Sequence, residues 1–127
     1  MYFVIDENFT LRQVRIAALY YGGWSSSDKL AENANVRGGQ LMKNLNQIKD
    51  QYSDKIMEVR GKGLLTAFEM FDEKKLDGHK VSVGLLDHGV YAKETHHTTV
   101  RLAPALTITS DQIDQLSDAV SRVVASL

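Results

Sequence analysis

Arg101 is the residue whose type and position best suit a chemical role in this sequence. It lies in the segment Thr99–Ala103, where the apolar Val100 and Leu102 alternate with more polar neighbours. This alternation predicts a β-strand with one buried face and Arg101 on the opposite face. A guanidinium on a paired strand is a good bidentate receptor for a carboxylate. We expect the strand to end before Pro104, the only proline, because proline cannot donate to a sheet.

The histidines lack the spacing that a metal site requires. They are His79, His88, His96 and His97. His96 and His97 would point to opposite sides of an extended chain, and no predicted helix carries a Glu-x-x-His or His-x-x-x-His pattern. A surface or lid role therefore suits them better than metal binding. The absence of cysteine excludes disulfides, thiolate metal sites and a cysteine nucleophile.

The glycine-rich segment Arg60–Gly63 invites comparison with a phosphate-binding loop, but a β-prone run follows it where such a loop requires a helix. We predict a bulge or a kinked strand there. Lys62 and Lys93 and the acids Glu69 and Glu94 show no spacing that singles out an acid–base pair. We therefore predict no catalytic, metal-binding or cofactor-binding residue within this chain.

Composition narrows the functional class. The 127 residues suffice for one domain, with 43% hydrophobic and 24% charged residues. Fifteen basic and sixteen acidic residues give a net charge of -1 without a basic tract, which argues against nucleic-acid binding. No apolar run has the length of a membrane span, and early acidic residues argue against a signal peptide. We expect a soluble intracellular domain, in the cytoplasm or the mitochondrial matrix.

Hydrophobic periodicity predicts the elements that position Arg101. Apolar residues spaced by three, four and seven predict a helix that begins at Ser27 or Asp28 and reaches Tyr52. Gly38 and Gly39 lie inside it at a cost of about 1 kcal/mol each, so we expect another segment to pass close to them.

The rest of the chain predicts two strand pairs that alternate with helices. Strands are expected over residues 55–59, 64–70, 90–92 and 99–103, with the second covered on both faces. We expect a second helix with Val81 and Leu85 inward, and Leu86 as a further candidate, which ends at His88 and Gly89. A capping box from Thr109 to Gln112 should open the last helix, which buries Ile113, Leu116, Val120, Val123, Val124 and Leu127. These elements predict an α+β fold with a mixed or antiparallel sheet of about four strands and three helices packed mainly on one face.

Four segments resemble class-III, pyridoxal-phosphate-dependent aminotransferases, and most closely the ornithine aminotransferases among them. The segment Val59–Leu65 is similar to the strand that enters the C-terminal small domain of that family. The run Asp87–His96, followed by Val100–Leu106, is similar to its "AKPTHG…IRFAPPL" pattern, and Lys29–Ala34 to its "NLAENA" helix start. The similarity covers residues 28–127.

The resemblance implies a role for Arg101 that agrees with the reading of its strand. Arg101 matches the arginine that pairs with the substrate α-carboxylate, and Thr95 and His96 are expected to line the same cleft. The complete enzyme would transfer the δ-amino group of ornithine to 2-oxoglutarate. Its pyridoxal phosphate lysine lies in the large domain of the family, so the implied partners are that domain, amino acid and 2-oxo acid substrates, and a second subunit.

Three positions depart from the family pattern: Glu94 replaces a proline, His97 a glycine, and Ala105 a second proline. Residues 1–27 match the family poorly, and we interpret them as a leader that is disordered or that reflects an incorrect exon boundary. Two hypotheses follow. The chain is either a fragment of an ornithine aminotransferase that lacks catalysis by itself, or a non-catalytic binding or dimerisation module derived from one.

Overall fold

The computed structural model describes residues 27–127, in which helices and strands alternate as predicted. The elements are α1 (Ser27–Gln51), β1 (Ile56–Lys62), β2 (Leu65–Met70), a short 3-10 turn (Asp72–Lys74), α2 (Gly78–Asp87), β3 (Lys93–Thr95), β4 (Thr99–Leu102) and α3 (Ser110–Ala125). None of these described helices is long and apolar enough to cross a membrane. Except for Ser27, the predicted leader lies outside the described residues, and the domain boundary at residue 28 stays a prediction.

The four strands form one antiparallel sheet in the order β1-β2-β4-β3, which confirms the α+β prediction. One face of the sheet packs on the helices, and there Phe68, Val100 and Leu102 are fully buried. On the other face Leu65 is 59% exposed. The prediction that β2 is covered on both faces is therefore wrong within the described residues, because all three described helices pack on one side.

The turn between β1 and β2 differs from the bulge predicted at residues 60–63. β1 continues to Lys62, which pairs with Leu65 across a two-residue turn formed by Gly63 and Leu64. Gly63 has a positive φ of 57°, which glycine adopts without the clash that a side chain would cause. A two-residue turn with positive φ matches the twist of the flanking strands, so these glycines serve a tight hairpin.

The predicted close approach at the paired glycines of α1 is confirmed for one of them. A Cβ atom built on Gly38 would overlap the carbonyl group of Gly63 and lie 2.9 Å from its Cα atom. A Cβ atom on Gly39 would meet nothing within 4 Å. Gly38 therefore lets α1 pack directly on the β1–β2 turn, whereas Gly39 has no packing role.

α2 begins and ends where the sequence predicts. The Asp77 side chain accepts a hydrogen bond from the backbone N–H of His79 at 2.9 Å, and Gly89 follows the helix with φ of 77°. Val81 and Leu85 are fully buried as predicted, whereas Leu86, the further candidate, is 45% exposed. The strand predicted at residues 90–92 is also displaced, since β3 occupies Lys93–Thr95, where the chain pairs with β4.

α3 is capped by the predicted box, and a polar seam joins it to α1. The Thr109 hydroxyl accepts from the Gln112 N–H at 3.2 Å, and the Gln112 side chain accepts from the Thr109 N–H at 3.0 Å. The predicted apolar stripe is buried, except that Leu127 lies beyond the helix and is partly exposed. The seam consists of three amide side chains of α1. Gln40 and Asn44 donate to the Ser110 carbonyl and the Ser117 hydroxyl of α3, and Asn33 donates to the Leu106 and Ile108 carbonyls in the segment that precedes α3.

Candidate functional site

Arg101 lies at the centre of the sheet, on the face that the described helices leave uncovered. Its backbone pairs with Ala67 of β2 on one side and with Lys93 of β3 on the other. Its neighbours Val100 and Leu102 point into the core and are fully buried. Arg101 itself is half-buried. Pairing on both sides fixes the backbone that carries the guanidinium, as the sequence predicts.

A cleft of about 520 Å³ opens beside Arg101. It is lined by residues of β1, β2 and β4 and by no described helix: Arg60, Gly61, Lys62, Leu65, Thr66, Ala67 and Arg101. The apolar part of the lining comes from Leu65 and Ala67, while the cationic groups belong to Arg60, Lys62 and Arg101. Such a surface is suited to an anionic group attached to a short apolar chain.

The sequence reasoning missed Arg60 and Lys62 as members of this site. It treated the segment around them as a structural bulge, which left their position relative to Arg101 undefined. A hairpin pairs Arg60 with Ala67, and Ala67 pairs with Arg101, so the three residues form one row across the sheet. The spacing of the two β-prone runs could have identified the hairpin, because a two-residue gap containing glycine is typical of a hairpin turn.

Two carboxylates hold the Arg60 side chain. Its Nη1 lies 2.9 Å from Glu69 Oε2 and 3.1 Å from Glu58 Oε2. The hydrogen bond to Glu69 contributes most to raising the pKa of Arg60, and the negative charges of Glu58 and Glu69 act in the same direction. The positive charge of Arg60 is therefore largely compensated at this edge of the cleft.

The two residues predicted to line the substrate cleft, Thr95 and His96, lie beyond the cleft described above. Thr95 pairs with Thr99, two residues from Arg101 along β4, so its side chain shares the face that carries Arg101. His96 is exposed in the β3–β4 turn with φ of 52°. Their assignment to a substrate cleft stays a prediction.

The β3–β4 turn has a strained residue, His97, where the family pattern that the sequence resembles has glycine. His97 has φ of 66°, a left-handed conformation that costs a residue with a side chain about 1–2 kcal/mol. We expect His97→Gly to raise the free energy of unfolding, measured by urea titration, by about 0.5–1 kcal/mol. The gain is smaller than the relieved strain, because glycine loses more backbone entropy on folding than histidine does. His88→Gly is the matched control, because His88 is an exposed histidine with an ordinary φ of -100°. A gain of the same size in both variants would contradict this explanation.

A second polar contact involves Glu94, the residue that replaces the family proline. His79 Nδ1 of α2 lies 2.9 Å from Glu94 Oε1 of β3, and the histidine side chain is 69% exposed. The hydrogen bond to Glu94 raises the pKa of His79 and, in return, lowers the pKa of Glu94. Sequence reasoning noted the departure at Glu94 but did not identify His79 as its partner, since the two residues are fifteen apart.

The pKa shifts of His79 and Glu94 predict a pH range over which their ion pair stabilises the fold. The raised pKa of His79 gives stability that is present at low pH and lost as pH rises through the folded-state pKa. The lowered pKa of Glu94 gives stability that is lost as pH falls through its folded-state pKa. We therefore expect the pair to act only between these two pKa values. In an NMR titration, Glu94→Gln should lower the pKa of the His79 ring, whereas Glu32→Gln on α1 should not. An unchanged pKa in Glu94→Gln would contradict the pairing.

Over residues 27–127, the structure shows no group of three or more histidine or acidic side chains that could hold a metal ion. Around Arg101 the described residues form a surface with a central arginine, an apolar lining and a charge-compensated neighbour. A surface of this kind is suited to binding and orienting a carboxylate.

Comparison with known proteins gives consistent matches. The family described as "Aminotransferase class-III" matches residues 24–124. The mitochondrial ornithine aminotransferase of Arabidopsis thaliana is 39% identical over 99 residues, which cover 76% of this chain and 21% of that protein. The structure of a Plasmodium yoelii ornithine aminotransferase is 33% identical with a TM-score of 0.72, over 78% of this chain and 26% of that one.

A further solved structure is that of a Toxoplasma gondii ornithine aminotransferase with partial occupancy of PLP at its active site. It is 27% identical with a TM-score of 0.70, over 78% of this chain and 23% of that one. The chain therefore spans between about a fifth and a quarter of the length of the relatives it matches.

Proposed function

Because this chain belongs to the class-III aminotransferases, we propose that residues 28–127 form the C-terminal small domain of an ornithine aminotransferase, in which Arg101 binds the substrate α-carboxylate. The observation that carries the proposal is the position of Arg101, on a central strand and facing a cleft with an apolar lining. A guanidinium placed in this way offers two parallel N–H donors to one carboxylate.

The reaction proposed for the complete enzyme is transfer of the ornithine δ-amino group to 2-oxoglutarate, giving glutamate semialdehyde and glutamate. The contribution of this chain would be to orient the substrates through their carboxylates, which brings the reacting atoms into register. The remaining partners in the proposal are the large domain of the same enzyme and a second subunit. Relatives with "mitochondrial" in their names support the mitochondrial matrix as the compartment, with the cytoplasm as the alternative.

Pyridoxal phosphate is the cofactor of this family and supplies an electron sink. The lysine that holds it needs a desolvated environment that lowers its pKa. Every lysine among residues 27–127 retains solvent exposure, including Lys62 and Lys93 beside Arg101. No lysine among residues 27–127 has such an environment within this chain, which supports our proposal that the anchor lies in the large domain.

A cofactor-binding experiment checks this assignment. When the purified chain is mixed with pyridoxal phosphate, we expect no stoichiometric absorption band and no single lysine labelled after borohydride reduction, because no described lysine is desolvated. Free N-acetyl-lysine at the same amine concentration serves as the control for non-specific adducts. A stoichiometric band traced by mass spectrometry to one lysine of this chain would contradict the assignment.

The second candidate function is a non-catalytic binding or dimerisation module. The observation that favours it is Leu65, which is 59% exposed on the uncovered sheet face. Leu65 and Ala67 both line the cleft on this face, and a contiguous apolar patch on an open sheet face is a type of surface that another protein can cover. Self-association of the chain in light scattering, reduced by Leu65→Ser, would support this candidate.

Titration of the isotope-labelled chain with 2-oxoglutarate tests the principal proposal. Chemical shift changes should concentrate on β1, β2 and β4, because residues of these three strands line the cleft. Butylamine, which has no carboxylate, is the control and should leave these resonances unchanged. Shifts confined to another surface, or shifts of equal size with butylamine, would contradict carboxylate binding by Arg101.

A further inference from the structure

The β3–β4 turn (residues 96–98) holds two consecutive residues in an unfavourable backbone conformation. His96 has φ of 52° and His97 has φ of 66°, and both values lie in the left-handed region that side chains disfavour. Backbone of this kind persists only where surrounding contacts hold it, and it is common in segments that switch between two conformations. The contacts around this turn therefore decide how often it opens.

The N-terminus of α2 supplies two of these contacts. The backbone N–H of Gly78 donates to the carbonyl oxygen of His97 at 2.7 Å, which ties the helix directly to a strained residue. The first N–H groups of a helix have no partner inside it, so this bond also satisfies one of them. One residue later, His79 Nδ1 lies 2.9 Å from Glu94 Oε1 on the strand that enters the turn. We call Gly78 and His79 the latch.

The latch and the hairpin pack as closely as glycine allows. A Cβ atom built on Gly78 would lie 2.7 Å from the His97 carbonyl oxygen and 3.2 Å from the Glu94 Cβ atom. Both neighbours belong to the hairpin, so a side chain at Gly78 would push the hairpin away from α2. The hairpin can therefore take two positions, one in contact with the latch and one displaced from it.

The charge of the His79 ring is the part of this contact that changes near neutral pH. Glu94 stays ionised there, because its hydrogen bond to His79 lowers its pKa. A protonated ring gives the carboxylate a charge-assisted hydrogen bond, which is stronger than the bond from a neutral ring. The other charged or titratable groups near the ring lie in the α2 cap, on α2, on β3 and in the turn: Asp77, Lys80, Lys93, His96 and His97.

We propose that α2 is a pH-dependent latch on the β3–β4 turn: a protonated His79 holds the strained turn closed through Glu94, and a neutral His79 lets it open more often. The charge of one ring is the signal, and the turn is the element with two positions. The inference goes beyond the proposed function and does not depend on any ligand of Arg101.

Hydrogen exchange of the Gly78 N–H measures how often the latch opens, because this amide is protected while it is bonded to His97. The readout is the protection factor, which compares the measured rate with that of an unstructured peptide at the same pH. We expect the factor to fall about twofold to fivefold as pH rises through the pKa of His79, the range for an exposed ion pair. The N–H of Ile113, bonded to the Thr109 carbonyl at 3.0 Å, is the internal control and should show no such step.

Variants of the pair separate the charge from the packing. Glu94→Gln should abolish the pH step, and His79→Lys should keep the protection high throughout, since lysine stays protonated over this range. His88→Gln changes an exposed histidine at the other end of α2, and it should retain the step. So should His96→Asn and His97→Asn, because asparagine tolerates left-handed backbone.

Four results would overturn the inference. They are the absence of a step in the wild-type chain, a step that persists in Glu94→Gln, low protection of His79→Lys at every pH, and a step that is lost in His96→Asn or His97→Asn. The last result would assign the titration to the turn itself.

Gly78→Ala tests the close contact directly. The added methyl group must displace the His97 carbonyl, so Glu94 moves away and the pKa of the His79 ring should fall in an NMR titration, although neither partner has been changed. Gly39→Ala adds a methyl group that meets nothing within 4 Å, and it should leave this pKa unchanged. A folded Gly78→Ala variant with an unchanged pKa of His79 would show that the start of α2 does not hold the turn.

Discussion

Arg101→Ala should lower kcat/KM for 2-oxoglutarate by the equivalent of about 2–5 kcal/mol in an enzyme that contains this domain. The loss is large because the variant removes both donors of the proposed bidentate pair and leaves the substrate carboxylate unpaired. The measurement uses a chimera in which residues 28–127 replace the matching segment of the Arabidopsis thaliana relative, since that relative aligns over 99 residues. Arg101→Lys should recover only part of the loss, because an ammonium keeps the charge and loses the planar geometry.

The matched control for this prediction is Arg122→Ala. Arg122 lies on α3, is 67% exposed and pairs with Asp118 at 2.7 Å, so it carries the same charge on another surface. The control should leave kcat/KM near the value of the parent chimera. Equal losses in the two variants would mean that net charge, and not the cleft, controls the reaction. Unchanged kinetics in Arg101→Ala would show that another group binds the carboxylate.

Gly38→Ala should lower the free energy of unfolding by about 3 kcal/mol, the largest effect expected for a methyl group added to any glycine among residues 27–127. The added Cβ would overlap the backbone of Gly63, which cannot move away as a flexible side chain can. α1 and the β1–β2 turn would have to separate, and the apolar contacts between them would weaken. Urea titration followed by circular dichroism measures the change.

Gly39→Ala is the matched control for Gly38→Ala, since the two glycines are adjacent in the same helix. A Cβ on Gly39 meets nothing within 4 Å, and alanine is the better helix former. This variant should therefore raise the free energy of unfolding by about 1 kcal/mol. The test is that the two variants change the free energy of unfolding in opposite directions. If both variants stabilise the chain, α1 does not pack on Gly63 as described.

The sequence predicted the features that depend on near neighbours. The strand of Arg101, the end of pairing before Pro104 and the capping box of Thr109 all follow from residues within a few positions of one another. The apolar stripe of α3 is equally local, because all the residues that show the period of 3.6 lie in one continuous segment. These are the features in which local preference and tertiary structure agree.

The features that failed depend on residues far apart in the chain. The alternation in β2 does not reveal whether a layer covers Leu65, since apolar residues occupy both faces of the strand. The row formed by Arg60, Ala67 and Arg101 requires the register of two strand pairs. Likewise, the contact between His79 and Glu94 arises only when α2 packs beside β3. The β1–β2 hairpin is the exception, because the two-residue gap that identifies it is a local feature of the sequence.

The polar seam between α1 and α3 has a consequence for synthesis on the ribosome. Gln40 donates to a carbonyl seventy residues later in the chain. At translation rates of about 5–20 residues per second, α1 emerges roughly 4–14 seconds before its partner helix exists. In that interval the β1–β2 hairpin can cover part of α1, and the rest of the apolar stripe of α1 stays exposed until α3 has been synthesised. A nascent chain paused before residue 110 should therefore recruit chaperones that the finished chain releases.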